Sequence, residues 1–281
     1  MRKTMPIVVL IAVCLTCLSI ESSAAQAPAS ESRLFILLSN DDGIEAPGLR
    51  ALIDAFQPIA DVVVAAPAGE QSGKGHGLLL RDPIFVLERK QAQGPSWYAI
   101  DGPPATCVRL AVESLLSRRP DLVISGINRG DNLGATVYHA GTLGPAREAA
   151  IVGIPSIAVS IRGDADADYK AAAEYVRQLV GQLHGKDKLK PGLFLNVNVP
   201  AGERKGVRVV RISTKPRHDT FEKRTSPRGR VYYWPDWRQL EEDDEGTDVW
   251  AFVRGYITVT PMTLDVTAAA EMKQLGWLET P

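Results

Sequence analysis

Two adjacent carboxylates, Asp41 and Asp42, follow the apolar run Leu34-Phe35-Ile36-Leu37-Leu38 and stand just before Gly43. At the end of a buried strand, two hard oxygen donors suit Mg²⁺, Mn²⁺ or Ca²⁺ better than a soft metal. A cation there would bind a phosphate oxygen and activate water. Asn-Asp-Asp-Gly is also ordinary turn chemistry, so the pair alone decides nothing. Further along, Val62 to Ala66 runs into Pro67-Ala68-Gly69-Glu70-Gln71-Ser72-Gly73-Lys74-Gly75-His76-Gly77. Its glycines let backbone N–H groups approach an anion, Ser72 offers a hydroxyl to metal or phosphate, and Lys74 adds positive charge. The spacing is not that of a Walker loop. His76 is a candidate proton donor to a leaving group, against the alternative of a bystander on a surface loop. After Leu122 to Ile127, Asn128 can present an amide oxygen to the same cation, and Gly141-Thr142 opens a helix whose free N–H groups suit a phosphate.

These loops need strands that end side by side. The run before Asp41 has the length and continuity of a buried parallel strand, and Pro47 can start a helix because its missing N–H has no partner in a first turn. Apolar runs recur at Val62 to Ala66, Leu122 to Ile127, Ser156 to Ile161 and Leu193 to Val199, with helically spaced segments between several of them. This alternation predicts a mostly parallel sheet with helices on both faces, with ligands at the carboxyl ends of the strands. Ala105, Val108, Leu110, Ala111, Leu115 and Leu116 mark one face of a helix that starts at Pro103-Pro104, and Cys107 within it reads as core rather than nucleophile. Beyond Val207 the pattern turns to strands, at Val207 to Ile212, Val231 to Trp234 and Trp250 to Thr260, which predicts a β-rich arm over about 207–267. Within it, Arg228 to Arg230 with Tyr232, Tyr233, Trp234 and Trp237 reads as an exposed aromatic hairpin suited to a contact between subunits. Glu241 to Glu245 reads as a solvated loop.

At the amino end, Arg2 and Lys3 precede an apolar stretch from Ile7 to Ile20 and the small residues Ser22 to Ala25. This is the pattern of a secretory signal peptide over 1–25, followed by a polar tail over 26–33 and the main domain over 34–281. The apolar stretch falls short of the ~20 residues of a membrane span, so no anchor is expected after cleavage. Export would place the mature chain in the periplasm or outside the cell. Cleavage removes Arg2, Lys3 and Glu21 and moves the formal net charge from −1 to about −2, which disfavours a long nucleic acid as partner. It also removes Cys14 and Cys17, leaving Cys107 with no intrachain disulfide and no thiolate zinc cluster. The length and the 45% hydrophobic content suffice for one large core.

The chain resembles the SurE-type nucleotidases, metal-dependent phosphatases acting on nucleoside monophosphates. The resemblance spans Leu34 to Thr267 and rests on Leu38 to Gly43, Gln71-Ser72-Gly73, Pro120 to Asn128, Gly141-Thr142 with Ala146-Arg147-Glu148, and Gly153 to Ser160. Asn196 to Pro200, Pro227 to Arg230 with Tyr232 to Trp234, and Gly246-Thr247-Asp248 with Thr260-Pro261 extend it. It implies one divalent ion per subunit, Mg²⁺ or Mn²⁺, held by Asp41, Asp42, Ser72 and Asn128, the four residues that loop chemistry singles out. Asp41 and Asp42 are the catalytic candidates, with Asp41 the better placed to take a proton from water. Asn40, Gly73, Lys74, His76, Asn132, Gly141 and Thr142 are candidate substrate contacts. The resemblance also implies a Rossmann-like three-layer α/β/α sheet, a swapped C-terminal arm and a homodimer or homotetramer. The family commonly carries serines at Gly75, Gly77 and Ala140, a tyrosine at His139 and a carboxylate at Thr106, so substrate contacts here depart from its pattern. The expected activity is metal-dependent hydrolysis of nucleoside 5′- or 3′-monophosphates. The alternatives are a broad phosphomonoesterase or exopolyphosphatase, and a periplasmic nucleotide-binding protein without turnover.

Overall fold

The computed structural model describes residues 33–92, 94–216, 219–236 and 242–280. The leader, nearly all of the tail, Trp237 and Glu241 lie outside the described residues. One nine-stranded sheet organises the chain: β1 (Phe35–Ser39), β2 (Asp61–Pro67), β3 (Val86–Arg89), β4 (Trp97–Ile100), β5 (Leu122–Arg129), β6 (Ser156–Ile161), β7 (Phe194–Val199), β8 (Val207–Val209) and β11 (Ile257–Pro261). The strand order is β3-β4-β2-β1-β5-β6-β7-β11-β8, and every pair from β4 through to β7 is parallel. β3 and β11 run antiparallel to their neighbours β4 and β7.

Alternation along β1 divides the core into two layers. Ile36 and Leu38 face α1 (Pro47–Phe56) and α4 (Asp166–Gly185), packing with Leu49, Leu52, Ile53, Phe56 and Val176. Phe35 and Leu37 face the opposite side and pack with Cys107 and Val108 of α2 (Pro104–Leu110) and Ala149 of α3 (Leu143–Ile151). Each large apolar side chain so buried contributes about 1.5–3 kcal/mol. Cys107 is fully buried, and burial pushes its thiol well up, consistent with a core role. Pro47 does occupy the first turn of α1, and the helix around Cys107 ends in a π turn at Ala111–Leu115.

Two features of the arm differ from the sequence expectation. Trp250 to Thr260 is not one strand: α5 (Asp248–Val253) comes first, and β11 starts only at Ile257. Thr247 caps that helix by accepting from the Trp250 N–H at 3.2 Å, and Gly255, at φ +86°, turns the chain into the strand. The capping residue overrides the β-propensity of Trp-Ala-Phe-Val. Moreover, β8 and β11 belong to the main sheet, so only the hairpin of β9 (Thr220–Thr225) and β10 (Val231–Asp236) stands outside it. The remaining helix, α6 (Ala269–Gln274), buries none of its residues. No helix among the described residues is long and apolar enough to cross a membrane.

Candidate metal and phosphate site

The chain leaves β1 for β2 on one side and later returns to β5 on the other, so the sheet reverses direction at β1 and opens a crevice at the carboxyl ends of β1 and β5. Asp41 and Asp42 stand at that point. Asp41 is only 2% exposed, and its Oδ1 accepts from Thr142 Oγ1 at 2.8 Å. Burial pushes its carboxyl up to about 6, despite the hydrogen bond from Thr142. Asp42 is half-buried, and burial, then the charges of Asp41 and Glu70, push it up to about 7. Two carboxylates held this close in low dielectric resist ionising together, the condition that a divalent cation relieves.

Neighbouring loops converge on the pair. The β2 loop is tied to it by Gln71 N–H donating to the Asp41 carbonyl at 2.8 Å and by Ile44 N–H donating to Pro67 O at 2.9 Å. Ser72, Gly73 and Lys74 lie exposed on this loop. Asn128 is the penultimate residue of β5, beyond a register shift between Ser125 and Asn128. Its Nδ2 donates to Gly130 O at 2.6 Å and to Arg129 O at 3.3 Å, so the amide nitrogen is turned to the backbone of its own loop. Asn40 turns inward instead, its Nδ2 donating to Gly43 O at 2.8 Å, and so fixes the turn that bears the two aspartates. Among the described residues no three His, Cys, Asp or Glu side chains are grouped to hold a metal. Ser72 and Asn128 carry neutral side-chain oxygens on the segments that follow β2 and end β5.

The other sequence candidates have supporting roles in this geometry. Gly141 lies against Asp41 so closely that a Cβ would sit 2.6 Å from Oδ2. Thr142 Oγ1 donates to Asp41 and lies 3.2 Å from Asn132 Nδ2, which also donates to Ser160 Oγ at 2.9 Å. Asn132 is thus buried behind the site, its N–H donating to Asn198 Oδ1 at 2.7 Å and its carbonyl accepting from Asn196 and Asn198. His76 does not stand free: its Nε2 is 2.7 Å from Oε2 of Glu148 on α3, whose Oε1 accepts from Arg109 Nε at 2.6 Å. Burial would raise Glu148, but His76 and Arg109 outweigh it and hold the carboxyl below its usual range. The departures from the family pattern are absorbed locally. Thr106 Oγ1 accepts from Leu79 N–H at 2.9 Å, Ala140 packs with Val137, Leu143 and Ala146, and His139 is exposed while its carbonyl accepts from Gly75 N–H.

Sequence reasoning passed over Glu70, which charges the aspartate pair and accepts from Ser72 N–H at 2.6 Å, and left Asp248 without a role. Asp248 is fully buried, and its carboxylate accepts from three backbone N–H groups. A carboxylate that follows a capping threonine signals only a helix start, so its distant partners had no trace in the sequence.

The family described as "Survival protein SurE" matches residues 36–219. A protein from Heliobacterium modesticaldum named 5'-nucleotidase SurE is 45% identical over 250 residues, covering 86% of this chain and 91% of that protein. Another from Thermus thermophilus, named 5'-nucleotidase SurE 1, is 44% identical over 247 residues, covering 86% and 97%. Among solved structures, the SurE protein from Aquifex aeolicus superposes with a TM-score of 0.75 at 37% identity, covering 88% of this chain and 100% of that one.

Proposed function

This chain belongs to the SurE family, and from that premise we propose that it is a metal-dependent 5′-nucleotidase, cleaving nucleoside monophosphates to nucleoside and phosphate. One observation carries the reading: a buried Asp41 beside a half-buried Asp42, at the reversal point of the sheet, with Asn128 on the adjoining strand. The donor set fits one hard divalent ion per subunit, Mg²⁺ or Mn²⁺, held by Asp41, Asp42, Asn128 and Ser72. When bound, such an ion supplies positive charge to a phosphate oxygen and makes a water easier to deprotonate.

The chain's own groups divide the remaining work. Thr142 occupies Asp41 Oδ1 and leaves Oδ2 as the ligand oxygen, so Asp41 is a fixed anchor more than a proton acceptor. Asp42, less buried and without a side-chain hydrogen bond like that from Thr142 to Asp41, is the more open of the two carboxylates toward an attacking water. Gly73 N–H, the Lys74 ammonium and the N-terminal turn of α3 supply donors for the phosphate oxygens. The carboxylates are adjacent, without the Asp-x-Asp spacing of aspartyl-phosphate enzymes, which favours direct attack by water over a covalent intermediate.

Phosphate release from 5′- and 3′-nucleoside monophosphates, 4-nitrophenyl phosphate and polyphosphate, with EDTA, Mg²⁺ or Mn²⁺, tests the reading. Metal-dependent turnover of the 5′-monophosphates, abolished in a folded Asp41→Asn variant, is the expected result. A folded protein that binds nucleotide and releases no phosphate with any metal would overturn it, and a preference for polyphosphate would redirect it. The leader-like residues 1–25 support export of the mature chain, and N-terminal sequencing of protein from a periplasmic fraction should begin at Gln26. Full-length protein confined to the cytoplasm would refute that location.

A further inference from the structure

Asp248 stands at a junction between the arm and the candidate site. Its carboxylate is fully buried and divides its acceptors between two parts of the chain. Oδ1 accepts from Ser213 N–H at 2.8 Å and from Val249 N–H at 2.9 Å, at the base of the hairpin arm. Oδ2 accepts from Gly134 N–H at 2.8 Å, within the loop that follows β5.

Both stems of the arm meet here. Ser213, on the incoming stem, donates its hydroxyl to Asp243 on the outgoing one, Lys215 Nζ donates to Glu242 O at 3.2 Å, and Arg211 bridges Thr247. On the other side of the junction, Gly134 adjoins Leu133, which packs with Val249 and Phe252 of α5. Two residues before Gly134, Asn132 hydrogen-bonds Thr142, and Thr142 donates to Asp41. A continuous chain of buried hydrogen bonds and one short loop thus runs from the arm to the anchoring carboxylate.

We infer that Asp248 is a positioning residue for the site: its Oδ2 fixes the loop that brings Asn132 and Thr142 onto Asp41, while its Oδ1 makes the base of the arm move with that loop. The inference rests on the reading of Asp41 as a metal ligand. Outer partners of metal ligands set ligand orientation, and their loss typically costs about 10–100-fold in metal affinity or activity. Asp248 acts one step further out than Thr142, so the lower end of that range, about ten-fold, is expected of it.

Asp248→Asn separates the two halves of the carboxylate. With its amide oxygen in the Oδ1 place, asparagine keeps the bonds from Ser213 and Val249 and sets an N–H₂ group against Gly134 N–H. Mn²⁺ affinity by titration calorimetry on the full mature chain, with circular dichroism as the fold check, reads the effect. The expected result is Mn²⁺ affinity about ten-fold weaker in Asp248→Asn, a larger loss in Thr142→Val, and a double variant no weaker than Thr142→Val alone. Losses that multiply in the double variant, or an unchanged affinity in Asp248→Asn, would overturn the inference. Should the asparagine variant not fold, Gly134→Ala strains the same junction from the loop side, since Gly134 sits at φ +54°, and carries the same two outcomes. A wild-type chain that binds no Mn²⁺ would refute the metal reading instead, whatever Asp248 does.

Discussion

At the residue scale the site is a problem in electrostatics, placed where the fold makes it costly. Asp41 and Asp42 are both pushed above the ordinary aspartate range, to about 6 and about 7, first by burial and then, for Asp42, by the charge of its neighbour. Between about pH 4 and 7 the folded state therefore holds more protons on this pair than the unfolded chain does, and stability from these groups falls as pH rises through that window. Thermal denaturation in EDTA should show the pair's contribution falling between about pH 4 and 7, with the slope flattened in Asp41→Asn and Asp42→Asn. Saturating Mn²⁺ should reverse the trend, because ligands must lose their protons to bind it. A second expectation concerns function. Asp41→Asn and Asn128→Ala should each lower metal-dependent turnover by more than about a hundred-fold, beyond the usual cost of losing a supporting partner. In EDTA near neutral pH, Asp41→Asn should melt no lower than the parent, because it removes a buried charge set against Asp42. A lower melting temperature there would show that the Thr142 bond outweighs the repulsion.

Elements place these groups through close backbone approaches that side chains would block. Gly48, in the first turn of α1, packs on β5 where the register shifts, and a Cβ there would lie 2.0 Å from Ile127 O. The obstacle is backbone on both sides, with no flexible group to give way. Gly48→Ala should therefore destabilise the fold by about 3 kcal/mol or more, at the severe end of overpacking, measured by urea denaturation. A variant as stable as the parent would mean that α1 can lift from β5 freely. The α5 segment teaches the converse: Thr247 and Gly255 bracket a helix inside a run rich in aromatic and β-branched residues, because end signals dominate over so short a span.

At the scale of the whole molecule, the β9–β10 hairpin stands out: among the described residues it lies outside the main sheet and buries none of its side chains. Two strands alone are marginal in water, yet Phe221, Tyr233 and Trp234 stand more than half exposed and Tyr232 40% exposed. A hairpin with exposed aromatics on both faces, Phe221 and Tyr233 on one and Tyr232 and Trp234 on the other, suits the homodimer or homotetramer expected from the sequence. Light scattering after gel filtration should give two or four times the mass of the mature chain, and Trp234→Asp should shift it toward the monomer. A parent chain that runs as a monomer at micromolar concentration would remove the assembly proposal and leave the site proposal intact.

Much of this protein was determined by its sequence alone. The parallel strands β1, β2, β5, β6 and β7, the helix start at Pro47 and the core place of Cys107 were legible because apolar run length and turn residues are local properties. β3 and β4 escaped notice because they are short, and β4 joins the sheet only through β2, some thirty residues earlier in the chain. The same limit applied to the supports of the site. That Thr142 holds Asp41, that His76 is committed to Glu148 and Arg109, and that Asp248 ties Gly134 to Ser213 follow from contacts across 35 to 114 residues. Chemical type is written in each residue, whereas the burial that shifts a carboxylate and the partner that turns a ligand exist only once distant segments have packed together.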